Sequence, residues 1–171
     1  GREPEVLNRA RRLRDLALAV GAGAGMAMLA YAVMTRTPPD LLAQPFLADT
    51  ARTLEKRGAV RIPAPFPLGV KGTTAWLQAA AEAFGIPGGR VHSVISPGRT
   101  RADTALAPHR AALSRRRIFF FPDSQLEVPL ARFVSRELGM VLTEVGTPYL
   151  HRQHLAEELA WLPSDTVLSE G

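Results

Sequence analysis

An α/β fold built on a parallel, Rossmann-like sheet is what this 171-residue sequence predicts, and three observations carry the prediction. The run Ile118-Phe119-Phe120-Phe121 is apolar at every position, as expected of an interior parallel strand covered on both faces. A polar turn, Pro122 to Gln125, leads from it into an amphipathic helix with Leu126, Leu130, Phe133, Val134 and Leu138 at helical spacing and Gly139 as its stop. The flanking segments alternate strand-like and helix-like patterns, which implies a parallel sheet with right-handed crossovers.

In chain order, residues 1 to 37 stand apart. Leu16 to Met34 is nineteen residues without a charge, preceded by Arg9, Arg11, Arg12 and Arg14. That length and flank fit an apolar helix that spans or lies on a membrane, and Gly21 and Gly25 form a pair suited to close helix packing. The alternative is a strand over Leu16 to Val20 followed by a phosphate-binding turn at Gly21, Gly23 and Gly25. Against it, Met26 stands where the dinucleotide fingerprint needs a third glycine.

From Pro38 onward the pattern reads as a strand at 41–46, a helix from Asp49 to Arg57 stopped by Gly58, and a strand at 60–62. Pro63 to Gly69 is a rigid loop. Thr73 or Thr74 is expected to cap a helix that carries Trp76, Leu77, Ala80 and Phe84 and is closed by Gly85. Residues 86–98 read as a loop with extended residues at 91–95, and residues 99–114 as a helix despite Pro108. After the Phe strand and its helix come a strand at 141–145, a helix over 152–162 and a short strand at 166–168. A break near Arg115 divides the body into two Rossmann-like lobes, 38–114 and 115–171.

Composition is that of a globular protein, 46% hydrophobic and 22% charged. Of the net charge of +5, residues 1–36 hold +3, so the basic excess is largely terminal. Arg115, Arg116 and Arg117 cluster without an aromatic platform or a nucleic-acid motif, and a nucleic-acid partner is not expected. There is no cysteine, which excludes disulfides, thiol nucleophiles and cysteine-ligated clusters from these residues. His151 and His154 are spaced to share a metal, but no third ligand accompanies them.

Open α/β sheets bind ligands outside the carboxyl ends of their strands, so Pro122, Asp123, Ser124 and Gln125 are the candidate site. Asp123 or Ser124 is expected to cap the following helix, and Asp123 reads as that cap rather than as a pocket acid. Glu157 and Glu158 read as solvated helix residues, and Trp76 and Trp161 as core or interface residues.

The strings FFFPDSQLEVPLARFVSRELGM and TEVGTPYLHRQHLAEELAWLP, with LLAQPFLADTARTLEKRGA and PAPFPLGVKGTTAWLQAAAEAFG upstream, resemble the N subunits of light-independent protochlorophyllide reductases, a branch of the nitrogenase component 1 family. The resemblance runs from about residue 41 to residue 171. It implies the Rossmann-like units of that family and a role in reducing the C17=C18 double bond of protochlorophyllide in (bacterio)chlorophyll synthesis. It further implies a B-type partner subunit, an ATP-hydrolysing L protein fed by ferredoxin, and a [4Fe-4S] cluster whose cysteines lie in an early part of the N subunit absent from this sequence. Because the resembled subunit continues beyond Gly171, the carboxyl end is expected to be cut. Pro122, Asp123, Ser124 and Gln125 are then expected to line the pigment pocket, with Thr147, Pro148 and Tyr149 after the next strand as further lining. Such chemistry belongs in the cytoplasm, whereas the arginines before Leu16 would send the body out of it. Residues 1–37 are therefore read as foreign to the family, and any membrane contact is confined to them.

Overall fold

A computed structural model of the chain describes residues 48–171. Its elements are α1 (Ala48–Lys56), α2 (Gly69–Ala83), α3 (Gly88–Leu113), β1 (Arg117–Phe120), α4 (Glu127–Leu138), β2 (Val141–Thr147), α5 (Ala156–Leu159) and β3 (Leu168–Glu170). The apolar amino-terminal helix and the strand expected at 41–46 lie outside the described residues.

In α1, Asp49 in the first turn and Lys56 in the last complement the helix dipole. Gly58, at φ 94°, ends it in the left-handed region. The strand expected at 60–62 is reduced to an isolated bridge at Arg61.

The chain enters α2 at Gly69, five residues earlier than a Thr73 cap would place it. The cap comes from elsewhere in the sequence. The Glu137 carboxylate accepts the Val70 N–H at 2.7 Å and the Lys71 N–H at 3.0 Å, so a distant side chain serves the orphan amides of the first turn. Gly69 is required there twice over: its φ is +71°, and a Cβ would collide with the Phe133 and Glu137 side chains. Thr73 instead donates its hydroxyl to the Pro67 carbonyl at 3.2 Å. Gly85, at φ 65°, closes the helix as expected.

Residues 88–113 form one 26-residue helix containing Pro97 and Pro108, where the sequence pattern suggests a loop followed by a shorter helix. No residue of α3 is fully buried, so carbonyls freed by the prolines face water. Around Pro97 hydroxyls bond back along the helix, Ser96 to the His92 carbonyl at 2.7 Å and Thr100 to that of Ser96 at 3.1 Å, and neither is a bond to the Ser93 carbonyl that Pro97 frees.

The three strands form a parallel sheet in the order β1-β2-β3. Its core is Val128, Ala131, Val145, Leu155 and Leu162, against which Phe120, Leu142, Leu150, Leu159 and Leu168 pack. The Phe strand differs from its sequence reading. Among the described residues β1 is the edge of this sheet and is covered on one face only, with Phe119 and, just after the strand, Phe121 exposed. The helix expected over 152–162 is regular only at Ala156–Leu159. Tight turns flank it, such as Trp161 N–H to the Glu158 carbonyl at 3.0 Å.

Candidate functional site

All three strands run the same way, so their carboxyl ends share one edge of the sheet. Pro122, which follows β1, crosses that edge. A Cβ at Gly146 in β2 would lie 2.7 Å from Pro122 Cδ, and one at Gly171, just after β3, 2.8 Å from Pro122 Cγ. The proline ring therefore occupies the space that both glycines leave open. Gly171 also donates its N–H to the Thr147 carbonyl at 3.2 Å. Through these contacts Pro122, Gly146, Thr147 and Gly171 come together at one end of the sheet. Thr147 is fully buried, whereas Asp123, Ser124 and Tyr149 are exposed. Tyr149 stacks on His151 at 6.1 Å, and His151 meets His154 edge-on at 6.2 Å.

The turn is held in a way opposite to the expected cap. Leu126 occupies the N-cap position of α4, and no side chain bonds from it. Instead Glu127 reaches back: its Oε1 accepts the Asp123 N–H at 2.9 Å, the Ser124 N–H at 2.5 Å and the Ser124 hydroxyl at 3.2 Å. Ser124 Oγ in turn accepts the Leu126 N–H at 3.3 Å. Gln125 adopts φ 70°, a left-handed conformation uncommon for a residue with a side chain. Burial pushes the Glu127 carboxyl upward, but hydrogen bonds from the amides of Ser124, Glu127 itself and Asp123 outweigh it and hold the group below the usual carboxylate range. Glu127 is thus a buried, ionised carboxylate, and its Oε2 has no hydrogen-bond partner. Asp123 is not the cap, so its carboxylate at the sheet end is left for other roles.

Behind the turn lies a buried ionic network that the sequence pattern does not reveal. Arg132 Nε donates to Glu158 Oε2 at 2.5 Å, and its other nitrogens reach the carbonyls of Phe66 at 2.9 Å and Leu68 at 3.2 Å. Glu158 accepts the Phe66 N–H at 2.5 Å, and Glu137 lies 4.0 Å from the guanidinium. Arg132 also sits 5.9 Å over the Trp161 ring. Glu158, expected to be solvated, is therefore buried. Burial raises its carboxyl pKa, against the pull of Arg132 and the Phe66 amide. The one signal in the sequence is position: Arg132 falls on the same helix stripe as Val128, Ala131 and Leu138.

A separate apolar groove of about 500 Å³ lies between α2 and α3, lined by Val70, Leu77, Val94, Ile95, Leu106 and Phe133. It contains none of the candidate site residues named from the sequence.

The sequence profile of the family described as Nitrogenase component 1 type Oxidoreductase matches residues 24–168. The chain belongs to that family. The match begins inside the apolar run Leu16–Met34. Among curated relatives, the light-independent protochlorophyllide reductase subunit N of Rhodopseudomonas palustris (strain BisB18) is 68% identical over 131 residues, covering 77% of this chain and 31% of the relative. The protein of the same description from Rhodospirillum rubrum is 65% identical over 131 residues, covering 77% of this chain and 30% of the relative. The chain thus spans about a third of the length of the curated relatives it matches.

Family membership implies a metal–sulfur cluster in the assembled complex. The donor set here does not fit such a group. The chain has no cysteine, and the described residues bring no three of His, Asp and Glu together as a metal site. Thiolate ligands to a cluster are not among these residues. No helix among the described residues is long and apolar enough to cross a membrane.

Proposed function

We propose that this chain acts as part of subunit N of a light-independent protochlorophyllide reductase, in the cytoplasm, and contributes scaffold and pigment-pocket wall to the reduction of the C17=C18 double bond. The observation that carries this reading is the 68% identity over 131 residues to a subunit of that description. In the complex it works with a B-type partner subunit, and an ATP-hydrolysing L protein delivers electrons from ferredoxin to a [4Fe-4S] cluster ligated outside these residues. Residues 38–114 and 115–171 serve as two lobes, the second presenting its strand ends to the pigment.

Pro122, Asp123, Ser124, Gln125, Pro148 and Tyr149 form the pigment-facing surface, with Thr147 buried behind them. A pocket for a flat, apolar pigment needs apolar walls and a few fixed polar groups. Pro122 and the Tyr149 ring suit the first need. The Asp123 carboxylate and Gln125 amide suit the second, on a turn that the buried Glu127 carboxylate holds from beneath.

The test replaces the matching third of the R. palustris subunit with this sequence and assembles the chimera with its B-type partner. Gln125→Trp and Asp123→Leu are expected to weaken protochlorophyllide binding on the order of tenfold or more, about 1.4 kcal/mol, with melting temperature unchanged. Full binding and turnover in both variants would remove the turn from the site. A chimera that folds, binds its partners and never reduces pigment would defeat the reductase reading itself.

A further inference from the structure

Three departures from what stability alone favours meet at the start of α4. Asp123 and Ser124 are preferred cap residues, yet neither caps the helix, whose N-cap position falls to Leu126. Gln125 holds φ 70°, a left-handed conformation that is costly for a residue with a side chain. Beneath them Glu127 is 3% exposed and its Oε2 has no partner. A buried carboxylate with one oxygen unmet weakens a fold. Departures of this kind persist where a particular shape is needed, and they gather at ligand-binding turns.

One oxygen links all three. Glu127 Oε1 accepts the amides of Asp123 and Ser124 and the Ser124 hydroxyl. Drawing those amides inward leaves Asp123 and Ser124 exposed on the outside of the turn. On the sheet side, Pro122 fills the space that Gly146 and Gly171 leave open. The turn is therefore clamped at both ends, by a ring on one side and a carboxylate on the other. We propose that Glu127 is a positioning residue for pigment binding. Its Oε1 holds Asp123, Ser124 and Gln125 in one conformation before the pigment arrives, so binding does not bear the cost of ordering them. This role, which rests on the reading of the turn as pocket wall, is one of reach rather than charge. All three donors converge on a single acceptor, so what the turn requires is an oxygen at that point. The amide oxygen of glutamine can stand there. The carboxylate of aspartate, one methylene shorter, cannot.

Protochlorophyllide Kd, KM and kcat are measured on the R. palustris chimera assembled with its B-type partner, and amide exchange on the full chain alone. Glu127→Asp is expected to raise Kd and KM for the pigment on the order of tenfold at unchanged kcat. In the full chain it is expected to speed exchange at Asp123 and Ser124 at least about tenfold. Glu127→Gln is expected to stay within about threefold of the parent in both measurements. Glu137→Ala removes an equally buried carboxylate from the same helix. It is expected to lower the melting temperature further than either variant and to leave pigment affinity unchanged. Full affinity in Glu127→Asp overturns the proposal. An equal loss in Glu127→Gln also overturns it, in favour of charge, and an equal loss in Glu137→Ala does so in favour of a general weakening of α4. The pocket reading is tested apart, by Gln125→Trp and Asp123→Leu. If those two weaken binding and Glu127→Asp does not, the positioning role alone fails; if they bind pigment fully, the pocket reading fails and takes the role with it. Should the Glu127→Asp chimera not assemble, exchange decides, and protected amides at Asp123 and Ser124 in the full chain overturn the proposal.

Discussion

The inward face of α4 and the outer face of β1 have exchanged the residues each would ordinarily hold. On α4, Arg132, Glu127 and Glu137 are buried, joined from α5 by Glu158. A few residues earlier in the chain, Phe119 on β1 and Phe121 just after it stand in solvent. Burial here follows pairing rather than hydropathy. A charge is tolerated inside when its hydrogen-bonding capacity is met, as Arg132 is by a carboxylate and two carbonyls. An apolar side chain stays outside when its sheet has no neighbour. The first region holds the fold together, and the second is left to solvent.

The sharpest way to break this contrast is to remove the central cation. Arg132→Met leaves Glu158 and Glu137 buried without their partner and is expected to cost about 3–5 kcal/mol, read by urea unfolding. Adding Glu158→Leu to the same chain is expected to recover much of the loss, because a filled apolar site replaces a lone charge. A cost under about 1 kcal/mol for the single variant would mean that the network is ornamental.

Next in size is Glu137→Ala. It strips the Val70 and Lys71 amides of their acceptor and is expected to cost about 2 kcal/mol, with faster amide exchange confined to the first turn of α2. Glu127→Gln, which keeps the shape and removes the charge beneath the turn, is expected to cost about 1 kcal/mol at neutral pH. The sign of its pH dependence follows from a folded pKa below the ordinary 4.5. The contribution is complete above pH 4.5 and disappears as pH falls through the lowered folded value, so the gap between parent and variant narrows in acid. A gap that widened in acid would contradict the ionised, amide-bonded carboxylate.

The smallest effects belong to the exposed region. Asp123→Ala and Phe121→Ser are each expected to change the stability of the isolated chain by less than about 0.5 kcal/mol. A loss near 1 kcal/mol in Asp123→Ala would restore the helix-cap role that the geometry denies it.

The parts of this architecture legible in the sequence are those fixed by neighbours in the chain. The order Phe strand, turn, helix, Gly139 and β2 follows from local apolar patterning and one left-handed glycine. The convergence of Pro122 with Thr147 follows from parallel strands alone. What escaped is non-local. Nothing near Thr73 says that Glu137 will start α2 sooner, and nothing near Glu158 announces Arg132. Residues 86–98, with Pro97, read as a loop because a proline in a helix ordinarily costs about 3 kcal/mol. Solvent on an unburied helix offsets that cost. The edge position of β1 escaped for the opposite reason: its composition describes an interior strand, and the described residues supply only one of its neighbours.

The remote cap on α2 also sets an order of events during synthesis. The Val70 amide and the Glu137 carboxylate that satisfies it are 67 residues apart. At about 5–20 residues per second, roughly 3–13 s of elongation separate them. Until then the first turn of α2 frays in water, and its native boundary is drawn only when α4 has been made and docked. A nascent chain caught in that interval carries α2 with the threonine-proximal start that local rules favour, and moves to the Gly69 start as Glu137 arrives.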